Sequence, residues 1–202
     1  MDTGPLPRGG TWERLVTCLR LARDSYVIQL DADTLAIGLL PEVVAAVREG
    51  RPFLLGEGEP LVPAAEAAAR APADGHVVDV AQRALARLSG AERFLYVRGS
   101  SGFTGFPAGT DALDLVAWLH REMENVLGPR WRAWGSEQVA SNFVLANLPG
   151  VEPLPWPDYA TWRPGIDPHG LRFGHFIGTF RFRRQILARL SRRVLRELYG
   201  VR

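Results

Sequence analysis

The chain has 202 residues and a formal net charge of +2, with 47% hydrophobic and 23% charged residues, which is typical of one globular domain or at most two small ones. The single cysteine, Cys18, excludes an intramolecular disulfide framework, and no apolar run approaches the roughly 20 residues of a membrane-spanning helix. The first ten residues, MDTGPLPRGG, lack the apolar core of a signal peptide. We therefore expect a cytoplasmic protein, and this expectation leaves attachment to a membrane surface open.

Helical and strand patterns alternate along the chain. Apolar residues at helical spacing predict helices over residues 11–22, 41–49, 63–71, 77–88, 111–127, 136–148 and 182–199. Short β-branched or aromatic runs predict strands over residues 26–30, 52–56, 93–97 and 175–180. The glycine-rich residues 99–109 and the proline-rich residues 149–174 are predicted as loops. The alternation predicts an α/β domain with a mainly parallel or mixed sheet flanked by helices.

Two carboxylates, Asp31 and Asp33, directly follow the predicted strand 26–30 in the stretch YVIQLDADTL. Neither has a cationic neighbour in sequence, and carboxylates at the end of a buried strand are usually ion-paired or bound to a metal. Functional residues of α/β sheets lie in the crevice at the carboxyl ends of the strands. We therefore expect these two side chains to lie in a functional crevice.

Three interpretations of LDADT compete. The first is a turn in which aspartate caps the next segment, since aspartate is common in turns and caps. This interpretation stays open because a bare D-x-D pattern is not specific for a functional site. The second is a phosphatase of the haloacid dehalogenase type, which is disfavoured because Leu35 stands where that motif needs threonine and because the chain has no lysine. The third is a divalent-metal site for a nucleotide diphosphate, in which hard carboxylate oxygens bind Mg²⁺ or Mn²⁺.

The third interpretation is favoured by four stretches that occur in this order: LDADTL (30–35), RGSSGFTGF (98–106), WGSEQVASN (134–142) and HFIGTFR (175–181). Together they resemble motifs of the nucleotide-sugar-dependent glycosyltransferases of the GT-A fold, most closely the family 8 type. LDADTL (30–35) resembles the metal-binding D-x-D strand end of that family, and RGSSGFTGF (98–106) resembles its small-residue loop beside the sugar pocket. WGSEQVASN (134–142) resembles its D-Q-D-x-x-N helix start, and HFIGTFR (175–181) resembles its H-x-x-G-x-x-K motif. The resemblance covers most of residues 26–181.

The resemblance implies a role for each matching residue. Asp31, Asp33 and His175 would hold the Mn²⁺ or Mg²⁺ ion. Gly178 would allow the backbone to approach the diphosphate, and Arg181 would pair with phosphate oxygens.

The resemblance also implies contacts to the sugars. Residues Ser100, Ser101 and Gly102 would line the donor and acceptor pocket. Glu137 and Gln138 would face the sugars as the catalytic candidates. Asn142, four residues after Gln138, would share its helix face and contact the donor.

The sequence departs from the family pattern at several positions. Arg181 replaces a lysine but still offers a bidentate fork to phosphate. Ser100 replaces an asparagine, and Glu137 replaces an aspartate and could act as a general base or could orient a hydroxyl. In the family a first nucleotide-binding strand and its helix precede the D-x-D strand, and they need about 30 residues or more. Only 25 residues precede Tyr26, and they show no pattern for such a strand. We therefore predict an N-terminally truncated GT-A-like domain over residues 1–181.

A basic amphipathic helix is predicted in the remaining residues, 182–202. All basic residues of the chain are arginines, and they are concentrated at this end. One apolar stripe runs along the helix, formed by Ile186, Leu187, Leu190, Val194, Leu195 and Leu198. Two interpretations stay open and are compatible: the helix docks on its own domain, or it lies on anionic lipid at the inner face of the cell membrane. Nucleic-acid binding is not expected, because no recognition motif accompanies the arginines.

The sequence therefore predicts transfer of a sugar from a nucleotide diphosphate sugar to a hydroxyl of a glycan or lipid-linked acceptor, in polysaccharide or glycolipid synthesis. One alternative is a sugar-nucleotide pyrophosphorylase of the same fold, although RGGTWER (8–14) only faintly resembles its glycine-rich loop. The other alternative is a non-catalytic, membrane-associated partner domain without a nucleotide pocket.

Overall fold

The computed structural model describes residues 3–200. Within that range the α-helices are α1 (Trp12–Leu21), α2 (Pro41–Glu49), α3 (Ala64–Arg70), α4 (Val77–Ala84), α5 (Leu113–Leu127), α6 (Ser136–Ala146) and α7 (Ile186–Tyr199). Short 3-10 segments cover Leu85–Arg87, Ala91–Arg93, Gly128–Arg132 and Gly178–Gln185. None of the helices in residues 3–200 combines the length and the apolar character needed to cross a membrane.

Nine short strands in the same range form three sheets. They are β1 (Val27–Leu30), β2 (Thr34–Ala36), β3 (Phe53–Gly56), β4 (Val62–Pro63), β5 (Leu95–Tyr96), β6 (Gly99–Phe106), β7 (Glu152–Pro153), β8 (Tyr159–Thr161) and β9 (Phe173–His175). The main sheet has the order β1-β6-β3-β7, and its β6 runs antiparallel to both neighbours while β3 and β7 are parallel. A second sheet has the order β2-β9-β8, and β4 pairs with β5. The protein is therefore an α/β protein with mixed sheets.

Helices pack on both faces of the main sheet. Alternate residues of β3 point to opposite faces, as the two-residue period of a strand requires. Leu54 belongs to the larger apolar cluster, together with buried residues of α1, α4, α5 and α6. Phe53 and Leu55 belong to a second cluster that includes Val43 and Ala46 of α2. The predicted arrangement of helices around a mixed sheet is confirmed.

The glycine-rich segment that we predicted as a loop is the central strand β6, so that prediction was wrong. All eight of its residues are buried. A Cβ added to Gly105 would lie 2.5 Å from Phe53 Cδ1 and 2.6 Å from the Tyr26 hydroxyl oxygen. A Cβ on Gly99 would lie 2.7 Å from the Leu55 carbonyl oxygen. These glycines therefore allow neighbouring groups to approach the strand closely instead of forming a turn.

The segment around residues 149–180 also differs from the prediction. Residues 149–174, which we predicted as a loop, contain β7, β8 and most of β9. The strands β8 (Tyr159–Thr161) and β9 (Phe173–His175) pair in parallel. The strand predicted over 175–180 ends at His175, and a 3-10 segment begins at Gly178. The predicted strand 93–97 shortens to β5, and the last helix begins at Ile186 instead of at residue 182.

The first turns of α7 pack on the rest of the protein. Ile186 and Leu190 are buried in a third apolar cluster, together with Trp162, Leu171 and Phe176. The docking interpretation of the C-terminal helix therefore holds for this part of the helix.

Substitution of Gly105 by alanine tests the close packing of β6. We expect Gly105→Ala to lower the free energy of unfolding by about 1–3 kcal/mol, because the new methyl group would overlap the Phe53 ring. Urea unfolding measures the change. Gly38→Ala is the matched control, since its nearest atoms would be 3.8 Å from the new Cβ. Equal stability of the two variants would contradict the packing described here.

Candidate metal site

The two sheets bring Asp31, Asp33 and His175 together. One potential ligand atom from each of these side chains lies within 4.8 Å of the others. Asp31 directly follows β1, and its N–H extends the pairing with β6 by donating to the Gly102 carbonyl oxygen at 2.9 Å. The antiparallel pair β2–β9 places Thr34 opposite His175, and the Phe176 N–H donates to the Asp33 carbonyl oxygen at 2.8 Å. The cluster therefore depends on strand pairing across more than 140 residues of sequence.

The imidazole of His175 faces both carboxylates with one nitrogen. Its Nε2 lies 3.1 Å from Asp33 Oδ1 and 3.6 Å from Asp31 Oδ2. Burial lowers the pKa of His175 and outweighs the two carboxylates, so the neutral imidazole is favoured. The Nδ1 atom lies 2.9 Å from Ser100 Oγ. A hydrogen bond donated by Nδ1–H to that oxygen leaves Nε2 available as a metal ligand.

Gly102 of β6 allows this position of the imidazole. A Cβ added at Gly102 would lie 2.6 Å from His175 Nδ1, closer than real Cβ contacts occur. The Gly102 N–H also donates to Ser100 Oγ at 3.1 Å, which fixes the hydroxyl against the ring. The small residues Ser100 and Gly102 thus allow the imidazole ring of His175 to pack directly against β6.

Two arginines compensate the acidic pair in this structure. Arg14 Nη1 donates to Asp31 Oδ1, and Arg181 Nη1 lies 3.2 Å from Asp33 Oδ2. The ion-paired interpretation of the two aspartates is therefore realised through residues distant in sequence. Each arginine engages only one oxygen of its carboxylate, and the other oxygens, Asp31 Oδ2 and Asp33 Oδ1, are those nearest to His175 Nε2. Ion pairing and a metal site are compatible here.

The donor set fits Mn²⁺ or Mg²⁺. Two carboxylate oxygens are hard ligands of the kind that these ions prefer, and a neutral imidazole nitrogen is a third ligand that Mn²⁺ accepts. Three protein ligands would leave further coordination positions of such an ion open to other oxygen ligands. Asp31, Asp33 and His175 are the residues that would hold the ion.

Glu137 at the start of α6 is almost completely buried, with 1% of its surface exposed. Its Oε2 accepts hydrogen bonds from Thr11 Oγ1 at 2.8 Å, Ser101 Oγ at 3.1 Å and Arg14 Nη2 at 3.1 Å. Burial raises the pKa of Glu137, and the nearby Arg14 opposes that shift. Within residues 3–200, Glu137 Oε1 has no hydrogen-bond partner. The glutamate is thus held firmly by one oxygen and has the other unused.

A cleft of about 410 Å³ opens above these residues. Ten of the eleven site residues predicted from the sequence line it: Asp31, Asp33, Ser100, Ser101, Gly102, Glu137, Gln138, His175, Gly178 and Arg181. Asn142 is the exception. It is fully buried, and its Nδ2 donates to the Gly99 carbonyl oxygen at 2.7 Å, so it supports β6 instead of lining the cleft.

Several residues of the cleft were missed by the sequence reasoning. Arg14 bridges Asp31 and Glu137, although it is separated from Glu137 by 123 residues. Arg98 also lines the cleft, and its guanidinium pairs with Glu57 at 2.9 Å and with Asp79 at 2.7 Å. No local pattern in the sequence marks Arg14, because its partners Asp31 and Glu137 approach it only through the fold.

Comparison of the chain with protein-family models, with curated proteins and with solved structures finds no match in any of the three. The function is therefore inferred from the residues of the cleft themselves.

Removal of one carboxylate tests the metal site directly. We expect Asp33→Asn to weaken Mn²⁺ binding by more than about 100-fold, since loss of even an outer partner of a metal ligand typically costs 10–100-fold. Titration of Mn²⁺ followed by electron paramagnetic resonance measures the affinity. Asp111→Asn is the matched control, because Asp111 is an exposed surface carboxylate outside the cleft. Absence of Mn²⁺ binding by the wild-type protein would contradict the metal site and would mean that the two aspartates only form ion pairs.

Glu137 generates a pH-dependent contribution to stability. Burial raises the pKa of Glu137 in the folded state above its value of about 4.5 in the unfolded chain. Its contribution to the free energy of unfolding is therefore fully present below pH 4.5 and is lost as the pH rises through the pKa of the folded state. We expect the free energy of unfolding of wild-type protein to fall relative to that of Glu137→Gln over this interval. Urea unfolding of both proteins between pH 4.5 and 8 measures the difference. A difference that rises with pH would mean that Arg14 outweighs burial.

Proposed function

We propose that this chain is a metal-dependent glycosyltransferase domain of the GT-A type. It transfers a sugar from a nucleotide diphosphate sugar to an acceptor hydroxyl of a glycan or lipid-linked acceptor. The observation that carries the proposal is the convergence of Asp31, Asp33 and His175 in the same cleft as Arg181 and Glu137. The mixed α/β sheet, with the acidic pair at the carboxyl end of β1, is consistent with this class.

The diphosphate end of the donor belongs beside the acidic pair. A Mn²⁺ or Mg²⁺ ion bound there would supply Lewis-acid stabilisation of the charge that develops on the departing diphosphate. Arg181 supplies a second positive charge from this chain, because its side chain is 39% exposed and, within residues 3–200, Asp33 is its one carboxylate partner. Its guanidinium can exchange the carboxylate oxygen of this ion pair for a phosphate oxygen and so keep an anionic partner.

Gly178 lies beside this position. Its φ of +54° favours glycine, and an added Cβ would meet no atom within 4 Å. The open space means that the backbone at residue 178 is accessible from the cleft. The Arg181 Nε atom donates to the Gly178 carbonyl oxygen at 2.9 Å, which holds the guanidinium near the cleft.

Glu137 orients a sugar hydroxyl in this proposal. Its burial and its three hydrogen-bond donors hold the carboxyl group in place, which suits positioning better than proton transfer to bulk water. In this proposal a sugar hydroxyl would donate to the Oε1 atom, which is buried and has no hydrogen-bond partner within residues 3–200. Gln138 is partly exposed in the same cleft and offers both a donor and an acceptor. Asn142 acts indirectly, by fixing Gly99 and so the start of the strand that carries Ser100 and Ser101.

Nucleotide binding tests the proposal. Calorimetry with UDP and with GDP, with and without Mn²⁺, is expected to show binding of one nucleotide that requires Mn²⁺ and is abolished by Asp33→Ala. We expect Arg181→Gln to weaken this binding by about 10–100-fold, the cost of a lost charge-assisted hydrogen bond. Arg172→Gln is the matched control, because Arg172 has comparable exposure and pairs with Glu42 and Asp158 outside the cleft.

Two outcomes would contradict the proposal. Absence of nucleotide binding with Mn²⁺ present would favour a non-catalytic partner domain. Formation of a nucleotide sugar from a nucleoside triphosphate and a sugar 1-phosphate, without sugar transfer, would favour a pyrophosphorylase.

A further inference from the structure

The two ends of α7 have different environments. Ile186 and Leu190 at the first end are buried against Trp162 and Phe176. At the other end, the apolar side chains Leu195, Leu198 and Tyr199 are 52%, 73% and 75% exposed. The helix is thus anchored at its start and presents large apolar side chains to solvent in its last two turns.

Arginines lie beside these exposed apolar side chains. Residues 181–199 contain seven arginines and one acidic residue, Glu197. Arg189, Arg192 and Arg196 recur at three- and four-residue spacing and so share one helix face. Together with Arg193 and Glu197 they line a surface depression of about 330 Å³.

Most of this positive charge lacks a partner in residues 3–200. Arg193 contacts Glu197 at 3.6 Å and His169 Nδ1 at 2.9 Å. By contrast, no carboxylate of residues 3–200 lies within 4.0 Å of the guanidinium groups of Arg189, Arg192 and Arg196. The cationic face is therefore available to an external anion.

We propose that the distal surface of α7, formed by Leu195, Leu198, Tyr199 and the arginines 189, 192 and 196, binds the surface of an anionic phospholipid bilayer. A helix that combines a cationic face with exposed leucine and tyrosine side chains has the chemistry of an interfacial helix. The arginines attract anionic headgroups, while the apolar side chains enter the boundary between headgroups and acyl chains. RNA could satisfy the arginines, but it offers no apolar phase to the leucines. This inference does not depend on the catalytic proposal.

Vesicle co-sedimentation tests the inference with the full chain. We expect binding to vesicles that contain phosphatidylcholine and phosphatidylglycerol in a ratio of about 3:1, because the anionic headgroups attract the arginines. We expect no binding to phosphatidylcholine alone and weaker binding at high salt. Combined replacement of Arg189, Arg192 and Arg196 by glutamine is expected to weaken binding by about 100-fold, from about fivefold per arginine.

A second triple variant separates this surface from net charge. Arg48, Arg87 and Arg121 are exposed arginines outside α7, so their replacement by glutamine removes the same charge. We expect this control to weaken vesicle binding only a few-fold, since screened charges act over about 10 Å. Replacement of Leu195, Leu198 and Tyr199 by serine is expected to weaken binding while all arginines remain. Circular dichroism checks that each variant is folded.

Three results would overturn the inference. The first is failure of the wild-type chain to bind anionic vesicles. The second is equal loss of vesicle binding in the two arginine variants. The third is tighter binding to a single-stranded RNA oligonucleotide than to the vesicles at the same ionic strength, with no effect of the serine substitutions.

Discussion

The charge of two neighbouring aspartates at the end of β1 is the constraint on which the cleft depends. Carboxylates that are partly removed from water are stable only when cations compensate them. Here Arg14 and Arg181 approach from opposite ends of the sequence, and each binds one oxygen of one aspartate. The remaining two oxygens face His175, and this division leaves a compact set of two oxygens and one nitrogen for a divalent ion.

The position of His175 depends in turn on the glycines of β6. Without a Cβ at Gly102, the imidazole can lie directly against the strand and reach the Ser100 hydroxyl. The same strand presents Ser101 to Glu137, and Asn142 fixes its first residue. A single small-residue strand therefore positions the histidine and the glutamate relative to the acidic pair. Gly102 and Gly105 of β6 leave room for the rings of His175 and Phe53 to pack against the strand.

The acidic pair Asp31 and Asp33 is visible in the sequence as a local pattern at a strand end, whereas His175 was a candidate only through the resemblance of HFIGTFR (175–181) to a glycosyltransferase motif. The structure brings the three side chains together. The sequence was sufficient for most helix positions, where apolar periodicity and proline or glycine ends are local signals. It failed for β6, since the local preference of glycine for turns was overridden by tertiary packing. It also failed for Arg14, whose partners come close only through the fold. Contacts between residues far apart in sequence leave no local pattern to read.

Anomalous diffraction at the manganese edge, from crystals soaked with MnCl₂, tests whether Asp31, Asp33 and His175 bind a divalent ion. We expect a peak about 2.0–2.4 Å from carboxylate oxygens of Asp31 and Asp33 and from His175 Nε2, the distance range of small divalent ions. A peak elsewhere, or none in this cleft while Arg14 and Arg181 retain their ion pairs, would contradict it. The aspartates would then serve the arginines alone.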